Sequence, residues 1–188
     1  MNTRKIVTGA VLASVLGVAA LAHSGATGVV KSRMEAMKEM QTAVKAIAPM
    51  MSGTAAYDAS VVQDAAETFG RHSGEALTAS FPEGSIEPPS EALPVIWQDW
   101  DHFEALARQL GIMAQGLSLA SENGLHGGSG MMGNGMMMGS GSGMMMGGSP
   151  NMMGMTAEQI GQMPADGAFA MTTQVCAACH DRFREEDD

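Results

Sequence analysis

The sequence predicts an all-α fold, a four-helix bundle with up-down-up-down topology. Four segments repeat apolar residues at steps of three and four, which is the period of an amphipathic helix. We find no segment with the alternating pattern of a half-buried strand, and aromatic residues make up only 4% of the chain. Helices with one apolar face bury those faces against each other, and short bundles are the usual result.

The N-terminus has the features of a secretory signal peptide. Two basic residues, Arg4 and Lys5, precede an uncharged, mostly apolar run that ends in small residues near Ala22. This order predicts a cleaved signal peptide over residues 1–22 and export to the periplasm. A retained membrane anchor is the alternative, but the apolar run is short for a bilayer span. We therefore expect no membrane span after cleavage.

The charge of the chain argues against nucleic acid as a partner. The formal net charge is −10 at pH 7, and loss of the basic leader residues would make it more negative. An acidic protein is repelled by a phosphate backbone. The negative charge suits either steering towards a basic redox partner or simple solubility, and the sequence does not separate these two roles.

Two helices are predicted in the first half of the chain. The first ends at Ser52-Gly53, and the second begins with Asp58 or Ser60 as its N-cap and continues through Gly70 and Gly74. The stripe of the first helix comprises Val30, Met34, Met37, Gln41, Val44, Ala48 and Met51. The inward positions of the second are Val62, Ala65, Phe69 and Leu77. Both patterns are typical of helices with one buried side.

Residues 81–94 contain four prolines and a glycine, which predicts a loop. A third helix follows and ends near Asn123-Gly124. Its pattern is the longest in the chain and comprises Leu93, Ile96, Trp97, Trp100, Phe103, Leu106, Ala107, Leu110, Met113, Ala114 and Leu117. The fourth helix is predicted from about Asp166 to Arg184. Its stripe comprises Phe169, Thr172, Cys176, Cys179 and Phe183.

Glycine, serine and methionine dominate residues 125–155, which interrupt the bundle domain of residues 23–188. Glycine at this density prevents a packed element, so we expect a disordered insertion between the third and fourth helices. Thioethers select Cu(I), and the methionine blocks, with His126 nearby, are a candidate Cu(I) site. A flexible linker, an oxidation sink and a hydrophobic docking patch are the alternatives.

The stretch Cys176-Ala177-Ala178-Cys179-His180 is typical of c-type haem attachment. The two thiols can form covalent links to the haem, and His180 would be an axial ligand of the iron. A zinc site would need further ligands at short spacing, and a thioredoxin-type pair would need a βαβ context. The chain has 2 cysteines, so a disulfide framework is excluded. We expect one covalent haem c.

The stretch 176–184 resembles the C-terminal CxxCHxx(F/Y)R pattern of the cytochrome c′ family, which includes cytochrome c-556-like members. Residues 31–37, 81–85 and 93–97 resemble the family's first helix, its mid-chain loop and the start of its third helix. The resemblance covers roughly residues 26–125 and 157–186 and departs from the family in the insertion. It implies a four-helix haem protein.

The resemblance also implies further site residues. Met37 would lie over the distal haem face and is a candidate sixth ligand; otherwise it packs as an apolar lid over five-coordinate iron. Arg33 would meet a haem propionate, or else be a solvated helix arginine. Met34 belongs to the same haem-facing stretch. Glu91 would lie near the haem edge, and Arg184 beside the proximal ligand.

The expected function is electron transfer in the periplasm. We find no constellation of catalytic acid, base and nucleophile, so we expect no enzymatic activity. An unidentified redox protein would be the partner, and binding of a small gas such as NO or CO at five-coordinate haem is the alternative. Copper handling by the insertion is a third hypothesis. The resemblance further implies that two copies can pair through the first two helices as a homodimer.

Overall fold

The computed structural model describes residues 25–126 and 154–185, and in these ranges the chain is helical, without strands. One isolated antiparallel bridge joins Ala92 and Arg184. None of the described helices is long and apolar enough to cross a membrane. The expected signal peptide and nearly all of the methionine-rich insertion lie outside the described residues, so both stay predictions.

The all-α four-helix bundle is confirmed. In chain order the described helices are α1 (Gly28–Met51), α2 (Ala59–Arg71), α3 (Gly74–Thr78), α4 (Val95–Gln98), α5 (Trp100–Ala120), α6 (Ala157–Gly161) and α7 (Ala165–Phe183). The four long helices α1, α2, α5 and α7 form the bundle. Helix α5 lies at its centre and packs against α2, α6 and α7, whereas α1 packs mainly against α2.

The buried face of α1 differs from the predicted stripe by about one position. The fully buried residues are Val30, Arg33, Met40, Ala43 and Ile47. Gln41 is exposed, and Met34, Met37, Val44 and Ala48 are only half-buried. Ile47 is completely enclosed, and its packing into the core turns the neighbouring positions to the side. The predicted helix end is right, since Gly53 adopts a positive φ of 71°.

The predicted N-terminus of α2 is confirmed, but the predicted extension of the helix to Leu77 is wrong. Asp58 is the N-cap, and its Oδ1 accepts hydrogen bonds from the backbone N–H groups of Ser60 and Val61 at 2.9 and 3.4 Å. The helix ends at Arg71 instead of continuing to Leu77. Gly74 has a φ of 55°, a left-handed conformation that interrupts a right-handed helix. Leu77 is still buried, but from α3.

The third predicted helix is divided in two. It begins at Val95, two residues later than the first predicted stripe position, and α4 is separated from α5 by Asp99. The predicted loop before it is confirmed. Leu93 lies in that loop, and its backbone N–H donates to the carbonyl oxygen of Phe183 at 2.9 Å. The loop is thereby attached to the end of α7.

The bounds predicted for the fourth helix agree with α7 within one residue. Thr172 and Phe183 are buried as predicted. Phe169, Cys176 and Cys179 are half-buried, because Ala168, Met171 and Val175 on the adjacent side of the helix enter the core more deeply. As in α1, several of the fully buried positions lie next to the predicted stripe.

The chain at the start of the insertion contacts the start of α7. The backbone N–H of Ala165 donates to the carbonyl oxygen of Gly124 at 2.8 Å. The backbone N–H of His126 donates to Asp166 Oδ1 at 3.0 Å, and the imidazole Nδ1 lies 3.0 Å from Asp166 Oδ2. Asn123 Nδ2 donates to the carbonyl oxygen of Met163 at 2.7 Å. These bonds hold the start of α7 at the end of α5.

Helix α6 has no counterpart among the predicted elements. A capping box marks its start: Thr156 Oγ1 accepts the Gln159 N–H at 3.4 Å, and Gln159 Oε1 accepts the Thr156 N–H at 2.9 Å. The helix crosses α5 at close range. A Cβ atom placed on Gly116 of α5 would lie 2.4 Å from the Cβ of Ile160, which is completely buried. The crossing therefore requires glycine at position 116.

We predict that Gly116→Ala destabilises the protein by about 1–3 kcal/mol, the usual cost of overpacking a core. The measurement is the free energy of unfolding from denaturant titration. Gly70→Ala in α2 is the matched control, because its Cβ would meet only the Ala114 Cβ at an ordinary 3.9 Å. This control should be neutral or stabilising, since alanine favours helix more than glycine does. Equal stability of the two variants would contradict the close α5–α6 packing.

Candidate haem site

The last two turns of α7 carry two thiols and an imidazole. Cys176 and Cys179 are free, half-buried thiols that pack against the core. His180 follows directly and keeps its side chain exposed. Cys176 and His180 are one turn apart on the same side of the helix. This donor set fits a haem held by two covalent links and one axial imidazole.

The environment of these groups sets their protonation. Burial raises the pKa of the Cys176 thiol. Burial, with a smaller contribution from the neighbouring Cys176, raises the pKa of Cys179 to about 11. Partial desolvation and the positive charge of Arg184 lower the pKa of His180, against the opposing effect of nearby acidic groups. These shifts favour the protonated thiols and the neutral imidazole, which is its ligating form.

Arg184 and Glu91, both expected near the haem, form an ion pair. Arg184 Nε donates to Glu91 Oε2 at 2.8 Å. The backbones pair as well, because Ala92 forms an antiparallel bridge with Arg184 and the Glu185 N–H donates to the Glu91 carbonyl oxygen at 2.8 Å. The loop that carries Glu91 is thus fixed to the end of the helix that carries His180.

The opposite side of this helix end is tied to the start of α5. Arg182 Nε and Nη2 each lie 3.2 Å from Asp99 Oδ2, and His102 Nδ1 lies 3.3 Å from the same oxygen. Sequence reasoning missed Asp99, since the capping position of α5 gives no sign of a partner 83 residues later in the chain. Phe183, between the two arginines, is buried.

Arg33 is buried, with 4% of its surface exposed, so the alternative of a solvated helix arginine is wrong. Its Nη1 donates to the Ser80 carbonyl oxygen at 3.1 Å and approaches Ser85 Oγ at 3.5 Å. Its Nη2 donates to the Ser85 carbonyl oxygen at 3.1 Å and to Ser90 Oγ at 2.8 Å. The guanidinium carbon lies 4.4 Å from the centre of the Phe81 ring.

The charge of Arg33 is not neutralised by a carboxylate within the described ranges 25–126 and 154–185, where all its hydrogen-bond acceptors are uncharged. Burial away from water lowers the pKa of the Arg33 guanidinium. A cation held among neutral acceptors fits the predicted contact with a haem propionate, which would supply the missing negative charge. That contact itself stays a prediction.

A chain of aromatic rings links the loop to α7. The Phe81 and Phe103 rings are 4.9 Å apart, and Phe103 and Phe183 are 5.4 Å apart, each pair in an edge-to-face arrangement. Trp97 Nε1 donates to the Phe81 carbonyl oxygen at 3.0 Å. The rings therefore bury the inner side of the last turn of α7, next to the thiols and the imidazole.

Comparison with known proteins decides the family. A family model described as Cytochrome C' matches residues 28–133, more than half of the chain. The chain belongs to the cytochrome c′ family. Its members are haem proteins. The two thiols and the imidazole on α7 therefore lie in a chain of the family for which a haem site was predicted. The matched range ends before Cys176, and the haem motif is thus independent of that match.

Two relatives are similar over the same share of the chain. Cytochrome c-556 of Agrobacterium fabrum (strain C58 / ATCC 33970) is 36% identical over 86 residues, which are 46% of this chain and 58% of that protein. Cytochrome c' of Rhodopseudomonas palustris (strain ATCC BAA-98 / CGA009) is 36% identical over 89 residues, 47% of this chain and 60% of that protein. The chain therefore matches less than two thirds of either relative.

Solved structures extend the similarity in fold to most of the chain. Cytochrome c' from Rhodopseudomonas palustris has a TM-score of 0.59 at 23% identity, covering 87% of this chain and 100% of that one. A nitric oxide complex of a mutant cytochrome c prime from Alcaligenes xylosoxidans has a TM-score of 0.57 at 21% identity, covering 85% and 94%. At these identities the comparison supports the four-helix fold of the family.

The distal candidates of this cytochrome c′ family member lie on α1. Met34 and Met37 are both half-buried, and Met37 packs against the core. Met37 follows Arg33 by one helical turn, so it lies on the same side of α1 as the guanidinium. The structure thereby places a thioether on the inward side of α1, but its ligation of iron stays a prediction.

The Cu(I) hypothesis concerns residues that lie almost entirely outside the described ranges. Its methionines, apart from Met155, fall within 127–153, and the hypothesis stays a prediction. In the part of the chain that the structure describes, no three His, Cys, Asp or Glu residues form a group that could hold a metal ion. His126, the expected nitrogen ligand, contacts Asp166 through Nδ1.

We predict slow alkylation of Cys179 in the folded protein without haem. A pKa of about 11 leaves roughly a hundredfold less thiolate at pH 8 than the ordinary value of 9.0 does. The rate with iodoacetamide should therefore be at least about tenfold lower in the folded than in the urea-unfolded Cys176→Ser variant. Equal rates in both states would show that the thiol is not buried as described.

Proposed function

We propose that this protein carries one haem c, linked to Cys176 and Cys179 and ligated by His180, and that it acts as an exported electron carrier. The single observation that supports this most is the set of two thiols and an imidazole on consecutive turns of α7. Membership of a haem-protein family supplies the context. When bound, the haem supplies an iron that changes between the ferric and ferrous states.

The protein's own residues would hold and shield this group. His180 offers a neutral nitrogen, and Arg33 offers a buried positive charge suited to a carboxylate. The half-buried thiols and the inner side of α7 adjoin a core of apolar residues, which keeps water from one side of the site. Limited solvent exposure and uncharged surroundings are among the factors that set a haem potential.

Electron transfer is favoured by one observation on the distal side. Met37 is an inward thioether, and methionine as a second axial ligand raises the potential of haem iron and gives an electron-transfer centre. The relatives named cytochrome c-556 fit this reading. The alternative is gas binding at five-coordinate iron, supported by the structures of Alcaligenes xylosoxidans cytochrome c prime with nitric oxide or carbon monoxide. Export is supported by the leader-like N-terminus.

Covalent attachment is tested by denaturing the protein produced with a haem-attachment system. We expect the haem absorbance to stay with the polypeptide in acid acetone and on a denaturing gel stained for haem. The double variant Cys176→Ser/Cys179→Ser should lose that signal, because it has no thiol to form a link. His72→Gln on the opposite half of the chain is the control and should keep it. Release of the haem from the unsubstituted protein would refute the proposal.

The distal ligand is tested by optical spectroscopy of the ferric protein at neutral pH. We expect a low-spin spectrum that becomes high-spin in Met37→Leu, since leucine has the size of methionine without the thioether. Met40→Leu, three residues away and buried in the core, should leave the spectrum unchanged. A high-spin spectrum of the unsubstituted protein would show that Met37 does not ligate the iron, and it would support the gas-binding alternative.

A further inference from the structure

We propose that Glu91 is a positioning residue, which holds Arg184 beside the haem ligand His180 and thereby helps to set the reduction potential of the haem. The inference rests on the proposed function, because it requires His180 to be the axial ligand. The role differs from direct contact with the haem, since Glu91 would act through a second residue.

Arg184 lies where its direction is not set by the helix. Helix α7 ends at Phe183, and Arg184 adopts an extended backbone with φ of −121° and ψ of 147°. Its backbone N–H still donates to the His180 carbonyl oxygen at 3.0 Å, so the residue begins close to the ligand. The contact at 2.8 Å between Arg184 Nε and Glu91 Oε2 then directs the side chain.

Glu91 can direct Arg184 because its own backbone is fixed on both sides. The Glu91 carbonyl oxygen accepts the Glu185 N–H at 2.8 Å, and Ala92 is bridged to Arg184. On the other side, Ser90 Oγ accepts from Arg33 Nη2 at 2.8 Å and from the Ala92 N–H at 3.3 Å. The Glu91 carboxylate thus extends from a loop segment that is hydrogen-bonded to both α1 and α7.

The pair places one positive and one negative charge near His180. Ferric haem carries one more positive charge than ferrous haem, so an uncompensated cation nearby favours the ferrous state. If Glu91 is neutralised, the Arg184 guanidinium loses its charged contact with Glu91 Oε2 and the direction that this contact gives it. Both losses alter the field at the ligand, and the effect of Glu91 depends on the presence of Arg184.

The experiment is a double-variant cycle on the haem-loaded protein, with the midpoint potential measured by spectroelectrochemical titration. The variants are Glu91→Gln, Arg184→Gln and the two combined. We expect Glu91→Gln alone to raise the potential, by up to about a tenfold change in the ferric-to-ferrous ratio, or 59 mV for a one-electron couple. In the Arg184→Gln background the same substitution should raise the potential by a clearly smaller amount, because only the direct effect of the lost carboxylate charge remains. An equal shift in both backgrounds would mean that Glu91 acts through its own charge, which would overturn the proposal.

Two further variants complete the test. Glu87→Gln removes a charge from the same loop, four residues earlier, and should leave the potential near that of the unsubstituted protein. Glu91→Asp keeps the charge on a side chain one methylene shorter, so the 2.8 Å contact can form again only if the Arg184 guanidinium moves towards the loop. It should move the potential more than Glu87→Gln does, and an unchanged potential would refute the positioning role. This variant decides the question if Glu91→Gln does not fold.

A wrong haem assignment and a wrong role for Glu91 give different experimental results. If neither the unsubstituted protein nor any variant retains haem after denaturation, the proposed function is wrong. If all variants retain covalent haem and the cycle is additive, the haem assignment stands and only the role of Glu91 is wrong.

Discussion

The arrangement of the site depends on the burial of one guanidinium, that of Arg33. The loop after α3 is rich in proline and has few regular backbone hydrogen bonds, and Arg33 satisfies two of its carbonyl groups and Ser90 Oγ at once. Lysine could not replace it, because a single ammonium lacks the planar set of donors that reaches such divergent acceptors. The position of this loop in turn decides where Glu91 meets α7.

Two sets of contacts connect this loop to the end of α7 and hold that helix end in place. One is the backbone pairing of Ala92 with Arg184, and the other is the ring contact of Phe81 with Phe103 and of Phe103 with Phe183. The ion pair of Arg182 with Asp99 adds a tie to α5. A helix end normally frays, whereas this one is held on several sides. Rigid support of this kind keeps an axial ligand in one orientation.

The positions of the helices could be predicted from the sequence more fully than the side of each helix that is buried. The capping residue Asp58 and the limits of α7 follow from local signals, and they agree with the structure. The stripes of α1 and α7 do not agree in full, because residues on two adjacent helix faces are apolar and periodicity alone does not rank them. The half-buried residues Met37, Cys176 and Cys179 lie on those side faces. The burial of Arg33 could not be predicted, since its serine acceptors lie 47 to 57 residues away without any pattern.

The division of the chain by its insertion explains why sequence and structure comparisons cover different parts of it. The family match ends at residue 133, and the haem motif begins only at Cys176, yet the similarity in fold extends over more than four fifths of the chain. The contacts between Gly124 and Ala165 and between His126 and Asp166 hold the chain before the insertion, and the packing of α6 against α5 holds the chain after it. Once those ends are held, lengthening the connection costs little, about 0.6 kcal/mol for each doubling of its length. The insertion can therefore change in length and composition while α7 keeps its place against α5, and with it the thiols and the imidazole.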